Sequence, residues 1–409
     1  MTINSTFKTL AIIALLSGVS SHASADSNNQ SEGKAPKAAS SEVSHKFWNS
    51  FFDLTSLKTS FIDTTPEDKN DAIPVGKLGV DGGDKDMIVK LANEMAEGKF
   101  GDFDSLLIAH RDKLVFESYF RRGRIDLPHP QSSATKAYTS MAIGRAIQMG
   151  YLSMADLNKP VISFLKDLDP TKLVEGTENI TLHKAMTMTS GLKISDESKK
   201  EYETSPDLLK GQGLVQAFLT NTAPITKASQ THDYKPYDPQ IVMQVLDAVV
   251  PGSAENFIKT ELLDKIGIEN YGWRKDASGL PRGPSGSSMT SRNMLKWGML
   301  TKNKGKWNGT QLVGEDFIAK ATGKIIEINE DDIFFTTENI TKPGYGYYWW
   351  QADIKIGDKS YFTTSAQGGG GQYIILIDEL DLIIVTTAHA RNIRPLKVTA
   401  NEILQAFTQ

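Results

Sequence analysis

The 409-residue chain contains no cysteine. That excludes disulfides, thiolate metal sites, a cysteine nucleophile and a cysteine-linked lipid anchor. Histidine is scarce, and His129, His183, His232 and His389 stand singly, a pattern that favours structural roles over metal ligation. Neither sign of charge is in excess: 45 basic and 49 acidic residues leave a formal net charge of -4, which offers no basis for a nucleic-acid partner or an anionic membrane surface. The apolar run Leu10 to Val19 is too short for a permanent span, so no stable membrane insertion is expected. Also missing are a Gly-x-Ser-x-Gly elbow, a His-Glu-x-x-His pair and a Gly-Lys-Ser/Thr phosphate loop. Their absence removes support for α/β-hydrolase, zinc-peptidase and nucleotide-binding readings.

What is present begins with Lys8, the apolar run and Ala23-Ser24-Ala25, together a secretory signal over residues 1–25 with cleavage before Asp26. The expected location is outside the cytoplasm, with the periplasm favoured. Residues 26–44 are rich in Ser, Ala, Asn and Lys and read as a flexible tether. A crowded apolar stretch follows, with Phe47, Trp48, Phe51, Phe52, Leu54 and Leu57, a short helix docked on the body or offered to a partner. The folded domain is expected over 71–409. Leu106–His110 and Leu114–Phe120 flank the charged turn Arg111-Asp112-Lys113 as a hairpin. Helical spacing runs over 136–149, 181–189, 240–250, 254–263, 291–300 and 396–407, and strand patterns over 345–352, 373–377 and 382–387. This order predicts an α/β (α+β) fold, with one sheet built from both termini, flanking helices and an inserted, mostly helical lobe. The cleft between sheet and lobe is the expected site.

Ser-x-x-Lys occurs five times, at Ser5, Ser31, Ser133, Ser163 and Ser190. Only Ser133-Ala134-Thr135-Lys136 opens a long apolar-patterned helix just after a hairpin. Residues three apart share a helical face, so the Lys136 amine reaches the Ser133 hydroxyl, and the helix N-terminus favours a developing alkoxide. Lysine acts as a base only where burial or neighbouring positive charge depresses its pKa, so Lys136 is expected to be enclosed.

Ser132 to Ser140 resembles the nucleophile motif of the class C β-lactamase family and its esterase and nylon-oligomer hydrolase relatives. Similar stretches follow in the family's order: Met186 to Leu192, Ser288 to Met294, Lys306-Trp307-Asn308-Gly309, and Ala366 to Tyr373. The resemblance spans roughly Lys113 to Ala388. It implies a β-lactamase/transpeptidase-like fold, Tyr234 of Tyr234-Lys235-Pro236 as proton relay, with Tyr237 as the close alternative, and substrate contacts from Gln367 and Gly368. It also implies an oxyanion hole from the N–H groups of Ser133 and Gly369. In this reading the Tyr234 phenol needs a lowered pKa, supplied by Lys136.

Two departures shape the expected function. Pro236 stands where the family's lactamases carry an asparagine that holds a substrate amide, and Ala366 where they carry a carboxylate-binding lysine. Losing both weakens recognition of penicillin-like or peptide C-terminal substrates. The expectation is an exported esterase or amidase that forms a Ser133 acyl-enzyme on a small-molecule substrate, needing no metal or organic cofactor. The rivals are a β-lactamase, a cell-wall peptidase and a non-catalytic interaction protein on the same scaffold.

Overall fold

The computed structural model describes residues 33–198, 204, 206–330 and 337–408. The expected signal segment and the first residues of the tether lie outside them. The short strand β1 (Phe61–Asp63) precedes the hairpin β2 (Phe103–His110) and β3 (Lys113–Tyr119), whose turn is made by Arg111 and Asp112, both at positive φ. Two-residue turns of that kind match the twist of the flanking strands. A small second sheet holds β4 (His129–Pro130), β5 (Tyr271–Trp273) and β6 (Ser287–Met289). The hairpin β7 (Lys306–Trp307) and β8 (Thr310–Gln311) turns at Asn308-Gly309, again at positive φ. The remaining strands are β9 (Ile326–Glu327), β10 (Ile340–Tyr345), β11 (Trp350–Ile356), β12 (Lys359–Gly368), β13 (Gln372–Ile377) and β14 (Leu382–Ala388).

The main sheet runs β1-β3-β2-β14-β13-β12-β11-β10-β9, with every pair antiparallel. N-terminal and C-terminal strands therefore meet at its centre, where Leu106 faces Thr386. Strands β2, β13 and β14 are buried along their whole length, so both faces of the sheet are covered. One cover is the helix Ser291–Lys302, capped by Thr290. It lies so close that a side chain at Gly298 would collide with Ile383 and Ile374. The opposite face takes the helix Lys85–Glu97 and the C-terminal helix from Pro395 to Ala406, whose middle turn is widened to π geometry.

The inserted lobe is helical. It comprises Thr135–Gln148, which packs on Tyr237–Val249, and the shorter helices Leu182–Met186, Gly213–Thr220 and Ala254–Ile258. The expected fold is thus present, and three boundaries differ. The sheet starts at Phe61, before the expected domain start at residue 71, because Ile62 and its neighbours pair with Ser118 on β3. Residues 345–352 are two strands rather than one: Gly346 N donates to Trp349 O, and Tyr348 at positive φ turns the chain. From residue 33 onward the expected tether lies against the body, where Ile125 N donates to Pro36 O and Arg124 pairs with Glu42.

Candidate active site

Ser133 sits at a sharp entry into its helix. Ser132 takes a positive φ of 47°, a strained conformation for a side-chain-bearing residue. A single 3-10 turn, Ser132–Ala134, then leads into the helix from Thr135. The segment before it is pinned from three sides. Gln131 N donates to Ser287 O, the Gln131 amide donates to His129 O, and Tyr138 Oη donates to Gln131 Oε1. Thr135 Oγ1 bonds Ser287 Oγ at 2.7 Å, which ties the helix start to the small sheet.

Lys136 Nζ lies 2.9 Å from Ser133 Oγ and 2.9 Å from Pro284 O. The amine is enclosed and has no carboxylate partner among the described residues. Burial, assisted by the charge of Arg282, lowers its pKa to about 7. The expected enclosure of Lys136 is what the structure has. Nζ donates to both oxygens; once deprotonated it can keep one N–H on Pro284 O and present its lone pair to the Ser133 hydroxyl.

Tyr234 completes the group. Its hydroxyl is hydrogen-bonded to Ser133 and to the Trp350 side chain, and the Lys136 ammonium position is 4.6 Å from its ring centroid. The expected lowering of its pKa is not what the structure gives: although the residue as a whole is 36% exposed, its hydroxyl end is enclosed, and that desolvation pushes the phenol up to about 12, against the opposing hydrogen bonds. A phenol raised that far stays protonated at neutral pH. Tyr237 is not brought to the site. It starts the helix Tyr237–Val249 and packs edge-on against Phe218.

The glycine run follows β12. A Cβ on Gly368 would lie 2.2 Å from Gln131 O, so only glycine lets β12 abut the backbone leading into Ser133. The next residue, Gly369, lines the same cleft as Ser133. The Gly369 N–H has no acceptor among the described residues, and the space around its Cα is open. Gln367 and Gly368 line the same cleft, with the Gln367 amide donating to Ser365 Oγ at 2.9 Å. Ala366 is fully buried on β12, and Pro236 is exposed at the head of its helix. Neither position carries a polar group toward substrate.

The cleft, of about 1130 Å³, extends across the ends of the strands from β14 to β9. Those strands are five spacings apart in the sheet, roughly 24 Å at the usual separation of strands. Its β9 end carries Glu327 and Asp233, and its β14 end carries His389 and Arg391, the one Arg or Lys among the lining residues described. Sequence reasoning missed Phe52, Trp350, Tyr373, His389 and Arg391 as lining residues. The aromatic run Tyr345, Tyr347, Tyr348, Trp349 and Trp350, which the sequence offers as strand core before acyl-pocket lining, divides: Tyr345, Tyr347, Tyr348 and Trp349 are core, and Trp350 lines the cleft. His129 and His389 are not isolated either. Both bond Asp104 Oδ2, at 3.0 and 2.7 Å. Burial alone would raise the Asp104 carboxyl, but these two bonds outweigh it and hold it below the usual carboxylate range.

The other family-like stretches act at a distance from the nucleophile. Ser190 donates to the buried carboxyl of Asp238, which burial pushes up to about 7, and Arg292 forks onto Glu117.

No curated protein matches the chain significantly. Solved structures do. A Bacillus anthracis protein described as a 6-aminohexanoate-dimer hydrolase superposes with a TM-score of 0.57 at 16% identity, covering 85% of this chain and 89% of that one. A class C beta-lactamase gives 0.57 at 14%, covering 80% and 96%, and a D-stereospecific amidohydrolase from Streptomyces sp. gives 0.56 at 14%, covering 79% and 99%. Identities this low speak for the fold alone. The profile of the Beta-lactamase family matches residues 102–406, which include Ser133, Lys136, Tyr234 and the glycine run. With three quarters of its length matched and the fold shared, this chain belongs to the Beta-lactamase family.

Proposed function

We propose that the chain is a serine hydrolase that cleaves an ester or amide bond through an acyl-enzyme on Ser133. The observation that carries this reading is the enclosed Lys136 amine, 2.9 Å from Ser133 Oγ, with its pKa brought to about 7. Lys296 is a second buried amine without a carboxylate partner among the described residues, but it rests on Gly267 O alone, whereas Lys136 is held against a serine hydroxyl, where a nucleophile needs a base that is neutral near physiological pH.

In the proposed acylation Ser133 Oγ attacks the substrate carbonyl carbon and its proton passes to the Lys136 amine. The carbonyl π pair moves onto oxygen, and the oxyanion accepts from the N–H groups of Ser133 and Gly369. Collapse breaks the bond to the leaving group. That group takes up the proton by way of the Tyr234 phenol, which is suited to a relay because it stays protonated. Water then attacks the acyl carbon by the same proton path in reverse, releasing the acid and restoring Ser133.

The missing polar groups at Ala366 and Pro236 favour an esterase or amidase over a β-lactamase. The amidohydrolase and the 6-aminohexanoate-dimer hydrolase on the same fold are consistent with amide substrates. The test is intact-mass analysis after exposure to a fluorophosphonate probe, followed by peptide mapping. A single adduct on Ser133, lost in Ser133→Ala and strongly slowed in Lys136→Ala, is the expected result. No adduct on the folded protein, or an adduct on another serine, overturns the reading. Export remains part of the proposal, and sequencing the mature N-terminus should find Asp26 first.

A further inference from the structure

The segment around Phe52 lies well before residue 102, where the family match opens. The body holds it by backbone oxygens. Arg122 Nε donates to Leu54 O and Arg122 Nη2 to Phe52 O, Arg124 Nη2 donates to Thr55 O at 2.8 Å, and Leu57 N donates to Arg121 O. Phe51 and Leu54 are buried, and the Phe51 ring rests 4.1 Å from that of His129. These contacts are enough to hold a strap in place. Phe52 has a different situation. It is 39% exposed, its ring is set edge-on to His389 at 6.2 Å and under the Arg122 guanidinium at 6.0 Å, and it lines the cleft, as do Ala390 and Ile393, residues that follow His389 at this end. Phe51 and Leu54 already anchor the segment, and anchoring does not explain why the exposed Phe52 lines the nucleophile's cleft.

We infer that Phe52 is a specificity-determining residue, and that Phe52, Ala390 and Ile393 form a subsite for an apolar, aromatic-sized substituent on the β14 side of the scissile bond. The strap thereby adds a wall to the site from outside the family-matched region. This rests on the hydrolase reading above. His389 and Arg391 line the same end of the cleft, and the apolar floor is made by the three side chains named. Burial of a ring against such a floor discriminates through apolar contact, for which tenfold to a few hundredfold is the usual range.

The experiment measures kcat/KM by pH-stat titration for methyl acetate, benzyl acetate and methyl phenylacetate with the full mature chain. The two aromatic esters place the ring on opposite sides of the scissile bond. In the native chain at least one of them is preferred over methyl acetate. In Phe52→Ala that preference falls at least tenfold, mainly through KM, and in Phe52→Trp it is retained. Val80→Ala, an exposed apolar residue away from the cleft, leaves the preference where it was. If the native chain turns over all three esters but Phe52→Ala leaves their ratios unchanged, the subsite is overturned and the hydrolase reading stands. If no ester is turned over and the fluorophosphonate leaves Ser133 unlabelled, the hydrolase reading fails and the inference falls with it.

Discussion

Lys136 and Arg292 are cations buried to the same degree, each 4% exposed, yet their surroundings drive them in opposite directions. Arg292 is bonded through Nε and Nη2 to both oxygens of Glu117 and through Nη1 to Asp71 Oδ2 at 3.0 Å. Burial opposes its charge, but these carboxylates outweigh burial and push its pKa higher still. Lys136 meets a hydroxyl, a carbonyl oxygen and the charge of Arg282, so nothing offsets burial and its pKa falls to about 7. The difference teaches that partner chemistry decides whether a buried cation is a rivet or a reagent. Arg292 ties β3 to the segment at Glu67–Asp71 and to the helix Ser291–Lys302, and Lys136 is left poised to exchange a proton.

The widest separation between the two should come from removing each side chain. Lys136→Ala is expected to lower kcat/KM by about 1,000- to 10,000-fold, the range for a general base that works with its nucleophile as a unit. Its melting temperature should stay level or rise, because an uncompensated amine leaves the interior. Calorimetry alongside steady-state kinetics checks both halves, and a large drop in melting temperature would make Lys136 structural. Arg292→Ala should do the reverse. It strands the Glu117 carboxylate and costs about 3–5 kcal/mol in urea unfolding, while the fraction that folds still labels at Ser133.

A smaller effect sharpens the contrast through pH. Lys136 must be neutral to act, so kcat/KM should climb as pH rises through about 7 and then level off. The same lowered pKa means that the unfolded chain binds more protons than the folded one between about pH 7 and the free lysine value of about 10.4. Stability from this residue therefore increases with pH across that window, and Lys136→Met should abolish the increase. The smallest change comes from Arg282→Gln. It removes the charge that assists burial and should move the activity midpoint upward by about half a pH unit. A midpoint that stays put would assign the limb to another group.

How far the sequence alone reaches depends on how local the physics is. Ser133 and Lys136 are legible because an i, i+3 pair and a helix start lie within four residues, and the Arg111-Asp112 turn is legible for the same reason. Gly368 and Gly369 are legible as a glycine run, although why Gly368 must be bare is visible only when Gln131 is found 2.2 Å from where its side chain would be. Tyr234 was placed through the family's order of motifs, and Tyr237, three residues on, could be separated from it only by seeing which one turns toward Ser133. The pairing of His129 with His389 on Asp104 joins residues 285 positions apart in its longest link, and no local pattern announces it. Phe52 was legible as apolar, but its placement depends on Arg122 and Arg124 seventy residues later. The break at Gly346–Trp349 was hidden because aromatic residues make a turn look like a strand.

The central pairing of β2 with β14 has a consequence for how the protein comes into being. Leu106 leaves the ribosome 280 residues (386 − 106) before its partner Thr386, so this part of the sheet stays open throughout that interval. Ser133 is made 236 residues (369 − 133) before Gly369, and β12, which seats that glycine, is made only just ahead of it. On the proposed mechanism, a product truncated before β12 would carry Ser133 without the Gly369 N–H, and would be expected to lack hydrolytic activity.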